Sequence, residues 1–182
     1  MCVAGADQAF GEMLARDRSE PEVQPVVALA RLDRQGISVR VSAEASGEEI
    51  EMVEVTESVS VAADANAAWE LIGDPSALAE WHPAIDSSEV ENDLRHLILG
   101  DGGRIEERIT EQSGRSYSYE FIESPLPVGG YSSRLSVEPS DRGATISWSS
   151  TFEAQGASES EAEELIAGIY RAGLDAVAQR LG

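Results

Sequence analysis

The sequence predicts an α+β fold in which a strongly curved, seven-stranded antiparallel sheet wraps around a long C-terminal helix. The last stretch of the chain, Ser158–Leu181, has the apolar spacing of one long helix. Upstream of it, seven stretches alternate apolar and polar residues as strands do. Two short helical stretches separate the first strand from the other six, which follow one another without a helix between them. Parallel neighbours would need crossover connections, so this order predicts an antiparallel sheet.

The C-terminal helix is predicted from apolar residues that recur at spacings of three and four. Ser158 followed by Glu161 forms a capping box, in which each side chain accepts a hydrogen bond from an unpaired backbone amide of the first turn. Gly173 lies on the apolar side, where it lets another group approach closely. A face this long needs a large partner surface, which the strands provide. The apolar residues are Ala162, Leu165, Ile166, Ile169, Tyr170, Leu174, Val177 and Leu181.

The first strand and two short helices precede the run of six strands. The strand is indicated by four valines that alternate with polar residues, at Val53, Val55, Val59 and Val61. Asp64 is predicted to cap a helix that Gly73 closes. Asp74-Pro75 starts a second short helix, since proline at the first helical position loses no hydrogen bond. That helix runs to about Trp81 and ends at His82-Pro83.

The six remaining strands are separated by turn-like residues such as Asn92-Asp93 and Ser113-Gly114. A curved sheet of this kind can grip the terminal helix and still leave a cavity on its concave face, which is the helix-grip fold. The predicted strands are Ser87–Asn92, Leu94–Leu99, Arg104–Glu111, Arg115–Glu123, Tyr131–Glu138 and Ala144–Glu153.

Residues 1–51 read differently and are predicted to form an N-terminal extension, while residues 52–182 form the main domain. Asp7–Asp17 has the spacing of a short helix, and Val26–Leu32 and Ile37–Val41 resemble two strands of a hairpin. Ala43–Glu51 is polar and contains glycine, as linkers do. An isolated hairpin is marginally stable in water. The extension therefore docks on the main domain, belongs to a partner or is partly disordered.

Composition and charge exclude several classes of function. The chain has 182 residues and a formal net charge of −21, and arginine is its only basic residue besides histidine. Such a surface repels nucleic acid and anionic lipid, and no apolar run approaches the roughly 20 residues of a membrane span. Cys2 is the only cysteine, and two histidines with scattered carboxylates form no metal-ligand spacing. We therefore expect a cytoplasmic protein with no metal or other cofactor; the oligomeric state stays open.

A set of short motifs runs through Val53–Leu181. They are Ala67-Ala68-Trp69-Glu70-Leu71-Ile72-Gly73-Asp74, Trp81-His82-Pro83-Ala84-Ile85, Gly100-Asp101-Gly102-Gly103, Tyr117 to Phe121, Leu126-Pro127-Val128 with Tyr131, and Trp148 with Phe152. In order and spacing the chain resembles the START-like, Bet v 1-like (SRPBCC) superfamily, in its polyketide cyclase/dehydrase-like branch near the bacterial relatives of the plant abscisic-acid receptors. The resemblance implies a helix-grip fold that binds an apolar small molecule between the sheet and the long helix.

The resemblance also implies where the ligand enters and which polar residues meet it. The gate loop of the receptors matches Leu99–Gly103, and their latch loop matches Ser124–Gly130. The cavity glutamate of the receptors falls at Glu107 and their latch-side tyrosine at Tyr131. Where they carry a lysine for the hormone's carboxylate, this chain has Asp86, which argues against binding of a carboxylate at that place.

Some residues allow two interpretations on sequence alone. Arg95 and Glu107 form either a buried pair at the cavity, since charges are rarely buried unpaired, or two outward-facing strand positions. His82 is either an acid or base near neutral pH or a residue that ends a helix within a packing motif. The alternating aromatic residues Tyr117, Tyr119 and Phe121 suit the concave face of the sheet, either as cavity wall or as ordinary core.

These observations favour a protein that binds an apolar or amphipathic small molecule of the lipid, polyketide or isoprenoid type. The alternatives are a polyketide cyclase/aromatase or dehydratase-type enzyme, with Arg95, Glu107, Tyr131 or His82 moving protons, and a protein–protein interaction module. Whether the chain is an enzyme stays open. The expected ligand-binding residues are Trp81, Arg95, Leu99, Glu107, Tyr119, Phe121, Leu126, Val128, Tyr131, Ile169, Gly173 and Val177.

Overall fold

A computed structural model describes residues 42–44 and 49–182 of the chain. Two three-residue strands pair with each other, β1 (Ser42–Glu44) and β2 (Glu49–Glu51). The segment Ala43–Glu51, which was predicted as a linker, therefore contains paired strand residues. The predicted short helix and hairpin at 7–17 and 26–41 lie outside the described residues.

The described chain from Val53 onward has the predicted order of one strand, two short helices, six strands and one long helix. Strand β3 (Val53–Val61) is followed by helix α1 (Ala65–Ile72), a 3₁₀ turn (Pro75–Ala77) and helix α2 (Leu78–Trp81). The six strands are β4 (Ile85–Glu91), β5 (Leu94–Leu99), β6 (Arg104–Ser113), β7 (Ser116–Glu123), β8 (Val128–Ser140) and β9 (Gly143–Ala154), and the helix is α3 (Glu159–Leu181).

The seven strands β3 to β9 form one antiparallel sheet in the order β3-β9-β8-β7-β6-β5-β4. Register shifts occur within β4, β6, β7 and β8, and such irregularities bend strands and increase their twist. The prediction of an α+β helix-grip fold is confirmed.

Helix α3 packs on the sheet as predicted, and its capping box is present. The Ser158 hydroxyl accepts a hydrogen bond from the Glu161 amide, and the Glu161 carboxylate accepts one from the Ser158 amide. Leu165 was predicted on the buried face but is 40% exposed, because the buried stripe of the helix passes through Ala162 and Ile166 instead.

Two local predictions need correction. Gly73 does follow α1, but its φ of −78° is open to any residue. It is glycine because a Cβ atom there would collide with the Trp69 ring. The loop predicted at Ser124–Gly130 is shorter, since β8 already begins at Val128. Val128 and Gly129 extend the strand, because they pair with Ala154 and Glu153 of β9.

Candidate functional site

A cavity of about 310 Å³ lies between the concave face of the sheet and helices α2 and α3. Most of its wall consists of apolar side chains from β5 to β9 and from α3. Its lining residues are Leu78, His82, Ala84, Ile85, Leu97, Leu99, Gly100, Asp101, Ile105, Glu107, Tyr119, Phe121, Leu126, Tyr131, Trp148, Ile166, Ile169 and Tyr170.

Residues of two loops contribute to the wall, as expected for the mouth of a helix-grip cavity. Gly100 and Asp101 come from the β5–β6 turn, and Leu126 comes from the β7–β8 loop. The Asp101 carboxylate accepts a hydrogen bond from the Gly103 amide at 2.9 Å. The Gly100 amide donates to the Ala84 carbonyl at 3.0 Å, which ties this turn to the segment before β4.

A buried ion pair lies beside the cavity. Arg95 on β5 and Glu107 on β6 are direct partners in the sheet, 0% and 3% exposed. The Arg95 Nε donates to Glu107 Oε2 at 2.5 Å. Glu107 is part of the cavity wall, whereas Arg95 lies behind it. Of the two interpretations of this pair, the buried one is therefore correct.

Arg95 is held from several sides. Its Nη1 donates to the Tyr117 hydroxyl at 3.3 Å and to the Pro75 carbonyl at 3.4 Å. Its guanidinium lies 4.6 Å from the centroid of the Tyr119 ring, a cation–π distance. Burial alone would lower the pKa of Arg95, but the Glu107 carboxylate raises it above its ordinary value. Conversely, burial raises the pKa of Glu107, and the guanidinium opposes that rise.

Hydroxyl groups of three tyrosines form a connected cluster at the cavity wall. The Trp148 indole Nε1 donates to the Tyr119 hydroxyl at 2.9 Å and to the Ser133 hydroxyl at 3.2 Å. Ser133 in turn contacts the Tyr170 hydroxyl at 3.1 Å, and Tyr170 is hydrogen-bonded to Tyr131. Burial raises the pKa of Tyr170 to about 12 and that of Tyr131 well above its ordinary value. These hydroxyls therefore keep their protons at neutral pH.

His82 is 2% exposed, and both of its ring nitrogens are engaged. Its Nδ1 accepts a hydrogen bond from the Ala84 amide at 3.2 Å, and its Nε2 lies 3.0 Å from the Ile169 carbonyl. A carbonyl only accepts, so Nε2 carries the proton and the imidazole is neutral. Burial lowers the pKa of His82, against the opposing effect of its bond to Ile169. The residue lines the cavity but joins α2 to α3, which fits the packing interpretation.

The predicted ligand-binding residues divide into two groups. Seven line the cavity, namely Leu99, Glu107, Tyr119, Phe121, Leu126, Tyr131 and Ile169. Five do not. Trp81 and Val177 are buried in the core, at 2% and 0% exposure, and Arg95 lies behind Glu107. Val128 starts β8 and is only partly buried. Gly173 lies against His82, because the imidazole occupies the space that a side chain would take.

Several wall residues were not among those predicted, although patterns in the sequence point to them. Leu97 and Ile105 have the same strand parity as Arg95 and Glu107, so the period of two places them on the same face. Ile166 and Tyr170 belong to the predicted apolar face of α3. Two other wall residues lie between α2 and the register shift of β4, namely Ala84 and Ile85. The period of two does not reach them, because the regular alternation of β4 begins only after that shift.

The described residues contain no cluster of three or more histidine, cysteine, aspartate or glutamate side chains that could hold a metal ion. Within the part of the chain that the structure describes, no helix has the length and apolar character needed to cross a membrane.

The chain matches one protein-family model and is similar to several solved structures. Residues 52–182 match the family model described as polyketide cyclase / dehydrase and lipid transport. The solved structure of the protein XoxI from Bacillus cereus is 33% identical, with a TM-score of 0.69, and the match covers 70% of this chain and 94% of that one. No curated protein matches the chain.

Two further structures share the fold at lower identity. The Zhui aromatase/cyclase from Streptomyces is 21% identical, with a TM-score of 0.60 over 71% of this chain and 93% of that one. A START superfamily protein from Mycobacterium smegmatis is 16% identical, with a TM-score of 0.62 over 70% of this chain and 96% of that one. The chain belongs to the family described as polyketide cyclase / dehydrase and lipid transport.

Proposed function

We propose that this protein binds a small, neutral and mostly apolar molecule in the cavity between the sheet and helix α3. The observation that carries this proposal is the wall itself, which is apolar except for a few convergent polar groups. Such a combination is typical of ligand pockets. Glu107 and the hydroxyls of Tyr119 and Tyr131 are the groups that can orient a ligand there.

Size and charge narrow the ligand class. The cavity of about 310 Å³ is at the lower end of the range for ligand pockets, which is about 300–1,000 Å³. A ligand of one or two rings fits this volume, and a long acyl chain would have to project through the mouth. Glu107 presents a carboxylate at the wall while Arg95 is held behind it, so an anionic ligand would meet a like charge in a medium of low dielectric constant.

The test uses 2-acetylnaphthalene as a neutral two-ring probe and 2-naphthoate as its anionic counterpart. We expect saturable binding of the ketone with a dissociation constant between about 0.02 and 1 mM, since a ligand of this size gains about 0.3–0.5 kcal/mol per non-hydrogen atom. Binding is followed by NMR titration of the ¹⁵N-labelled protein. The indole resonance of Trp148, which lines the cavity, should shift, and 2-naphthoate should leave it unchanged.

Gly100→Trp provides a variant with a narrowed mouth. Gly100 lines the cavity, and a Cβ atom there would make only ordinary contacts, 3.7 Å from the Asp86 carboxylate. The larger side chain should weaken ketone binding while the thermal unfolding temperature stays close to that of the wild type. Absence of saturable binding to the wild type, or equal binding of the naphthoate anion, would refute the proposed function.

A second candidate function is an enzyme that removes a proton next to a ketone, as a cyclase or dehydratase must. Glu107 favours it, because this carboxylate lines the cavity and its pKa is raised by burial, as in many general acids and bases. Both nitrogens of His82 are engaged, Tyr131 is held by Tyr170, and Arg95 does not reach the wall. His82, Tyr131 and Glu107 all line the cavity, but of these only Glu107 presents a carboxylate that can accept a proton.

This candidate is tested by hydrogen–deuterium exchange at the acetyl methyl group of 2-acetylnaphthalene in D₂O. A general base takes a proton from that carbon to give the enolate, and a deuteron then returns to it. Catalysis predicts exchange above the buffer rate in the wild type and the buffer rate alone in Glu107→Gln. If the wild-type protein binds the ketone but leaves the exchange rate unchanged, the binding function stands and the enzymatic one does not.

A further inference from the structure

The direction of each hydrogen bond in the hydroxyl cluster follows from counting protons. Ser133 lies 2.8 Å from the Ser149 carbonyl oxygen, and a carbonyl cannot donate. The single proton of Ser133 therefore points to Ser149. Its oxygen is left with two lone pairs, which face the Tyr170 hydroxyl and the Trp148 indole. The indole has one proton, which Ser133 shares with the nearer Tyr119 oxygen. Tyr170 must be the donor in its contact with Ser133.

The same count fixes the next bond of the cluster. Each tyrosine hydroxyl has one proton, and that of Tyr170 is directed to Ser133. In the contact between Tyr131 and Tyr170 the donor is therefore Tyr131. Both of these tyrosines line the cavity, but neither has a proton left to offer a ligand.

Tyr119 differs from the other two. Its oxygen accepts from the Trp148 indole at 2.9 Å, while its own proton has no acceptor among residues 49–182. The side chain is 2% exposed and lines the cavity. A buried donor without an acceptor is unfavourable, because it has given up its hydrogen bonds to water and gained none in exchange. Among the cavity-lining tyrosines of the described chain, Tyr119 alone is ready to donate.

Its surroundings strengthen Tyr119 as a donor. A hydroxyl whose oxygen already accepts a hydrogen bond is polarised by it and donates more strongly. The Arg95 cation lies over the same ring, 4.6 Å from its centroid, and withdraws negative charge from it. Burial raises the pKa of Tyr119 well above its ordinary value, so the proton stays in place at neutral pH.

We infer that the Tyr119 hydroxyl donates the hydrogen bond that positions the ligand, and that the ligand is an apolar ring-sized molecule with a neutral oxygen acceptor, such as a ketone. This inference rests on the proposed function, since it requires that the cavity binds a small molecule. According to this inference, the Tyr119 hydroxyl is the group that makes the site prefer a ketone over a hydrocarbon of the same shape. A hydrocarbon of the same shape leaves that donor unpaired, and a site with an unpaired polar group discriminates against such an analogue.

The test compares two probes that differ in one group. In 2-isopropenylnaphthalene a methylidene group replaces the carbonyl oxygen of 2-acetylnaphthalene, so the shape is kept and the acceptor is lost. We expect the wild type to bind the ketone about two- to tenfold more tightly than the hydrocarbon, the range of a neutral hydrogen bond. Tyr119→Phe should remove this preference and bind the two probes equally. Both affinities come from NMR titration of the full chain.

Tyr117→Phe is the matched control. It removes the same group two residues away on the same strand, and the Tyr117 hydroxyl has no acceptor of its own in residues 49–182 either. Because Tyr117 does not line the cavity, its variant should retain the preference for the ketone. A thermal melt of each variant establishes that it is folded.

The outcomes separate this inference from the function on which it rests. If the wild type binds neither probe, both are refuted. If it binds both probes equally, or if Tyr119→Phe keeps the preference for the ketone, the role of Tyr119 is refuted and the binding function stands. Equal loss of the preference in Tyr117→Phe and Tyr119→Phe would also overturn the inference, since the effect would then come from Arg95 rather than from a contact with the ligand.

Discussion

At the scale of single residues, His82 connects the cavity to the stability of the fold. It donates from Nε2 to the Ile169 carbonyl on α3 and accepts at Nδ1 from the Ala84 amide. Protonation would place a hydrogen on Nδ1, opposite another donor. The fold therefore prefers the neutral imidazole, as the lowered pKa of His82 indicates. Within residues 49–182 no acidic or basic side chain forms an ion pair with His82, so its response to pH is that of a buried neutral group.

This predicts a loss of stability on mild acidification. In the unfolded chain His82 takes up a proton near its ordinary pKa of 6.5, whereas in the fold it does so only at lower pH. The unfolded state therefore binds more protons just below pH 6.5, and the free energy of unfolding falls as the pH drops through that window. Urea denaturation between pH 7.5 and 5 measures it.

The control for this prediction is His82→Gln, which keeps an amide donor and does not titrate. The wild type should lose more stability than this variant between pH 7.5 and 5. Parallel pH profiles for the two proteins would show that carboxylates, not His82, determine the response.

Gly173 and Gly168 lie on the same helix and predict opposite effects of the same substitution. A Cβ atom at Gly173 would lie 2.5 Å from the His82 ring and 3.1 Å from the Trp148 ring. Overpacking of this kind costs about 1–3 kcal/mol, which equals the gain of about 1 kcal/mol in helix propensity at its lower end and exceeds it over the rest of the range. Gly168 has no neighbour within 4 Å of that position. Gly173→Ala should lower the free energy of unfolding and Gly168→Ala should raise it by up to about 1 kcal/mol.

Urea denaturation at pH 7.5 measures the free energy of unfolding of Gly173→Ala and Gly168→Ala against that of the wild type. Stabilisation by both substitutions would mean that the His82 ring moves freely and that Gly173 is not required for its packing. Gly173 was expected to line the cavity. In the structure it instead packs against the His82 imidazole, so a substitution there should affect stability by displacing that ring.

At the scale of secondary structure elements, the capping box makes helix α3 sensitive to one hydroxyl. Ser158→Ala removes the acceptor of the Glu161 amide and a partner of the Glu161 carboxylate. We expect a loss of about 1 kcal/mol in the free energy of unfolding. Ser160→Ala is the control, because Ser160 is exposed in the same turn and caps nothing. Equal effects of the two substitutions in urea denaturation would contradict a specific role of the cap.

The elements show which features a sequence can specify. Strand and helix types were predictable because the period of two in β3 to β9 and the spacing of three and four in α3 are local. The exposed Leu165 escaped prediction, since the precise buried stripe of a helix depends on how its axis crosses the sheet. The extension of β8 to Val128 likewise depends on its pairing with β9, which is far away in sequence.

In the candidate site, too, some features could be predicted from local sequence patterns and others depend on how distant elements pack. The rule that buried charges are paired made Arg95 and Glu107 candidates for a buried pair, but the sequence left open whether the two side chains face inward. That Glu107 reaches the wall and Arg95 does not depends on side-chain conformations that no pattern contains. The tyrosine cluster joins β7, β8 and α3, and its hydrogen bonds became visible only when these elements were brought together.

At the scale of the whole molecule, residues 52–182 are expected to fold without the preceding segment. They contain all seven strands of the main sheet and helix α3, and the family match covers the same residues. A chain that begins at Met52 should unfold cooperatively at a temperature close to that of the full-length protein, as measured by circular dichroism. An insoluble or non-cooperative product would show that the segment before Met52 completes the fold.

The central claim is that the cavity takes up a small neutral molecule, and intermolecular nuclear Overhauser effects test it most directly. With 2-acetylnaphthalene bound to the ¹³C-labelled protein, the account predicts contacts from the ring protons to the methyl groups of Ile105, Ile166 and Ile169, which line the cavity. It predicts none to Val90, whose side chain is exposed on β4. Contacts to Val90, or a complete absence of contacts to the three isoleucines under saturating ketone, would contradict it.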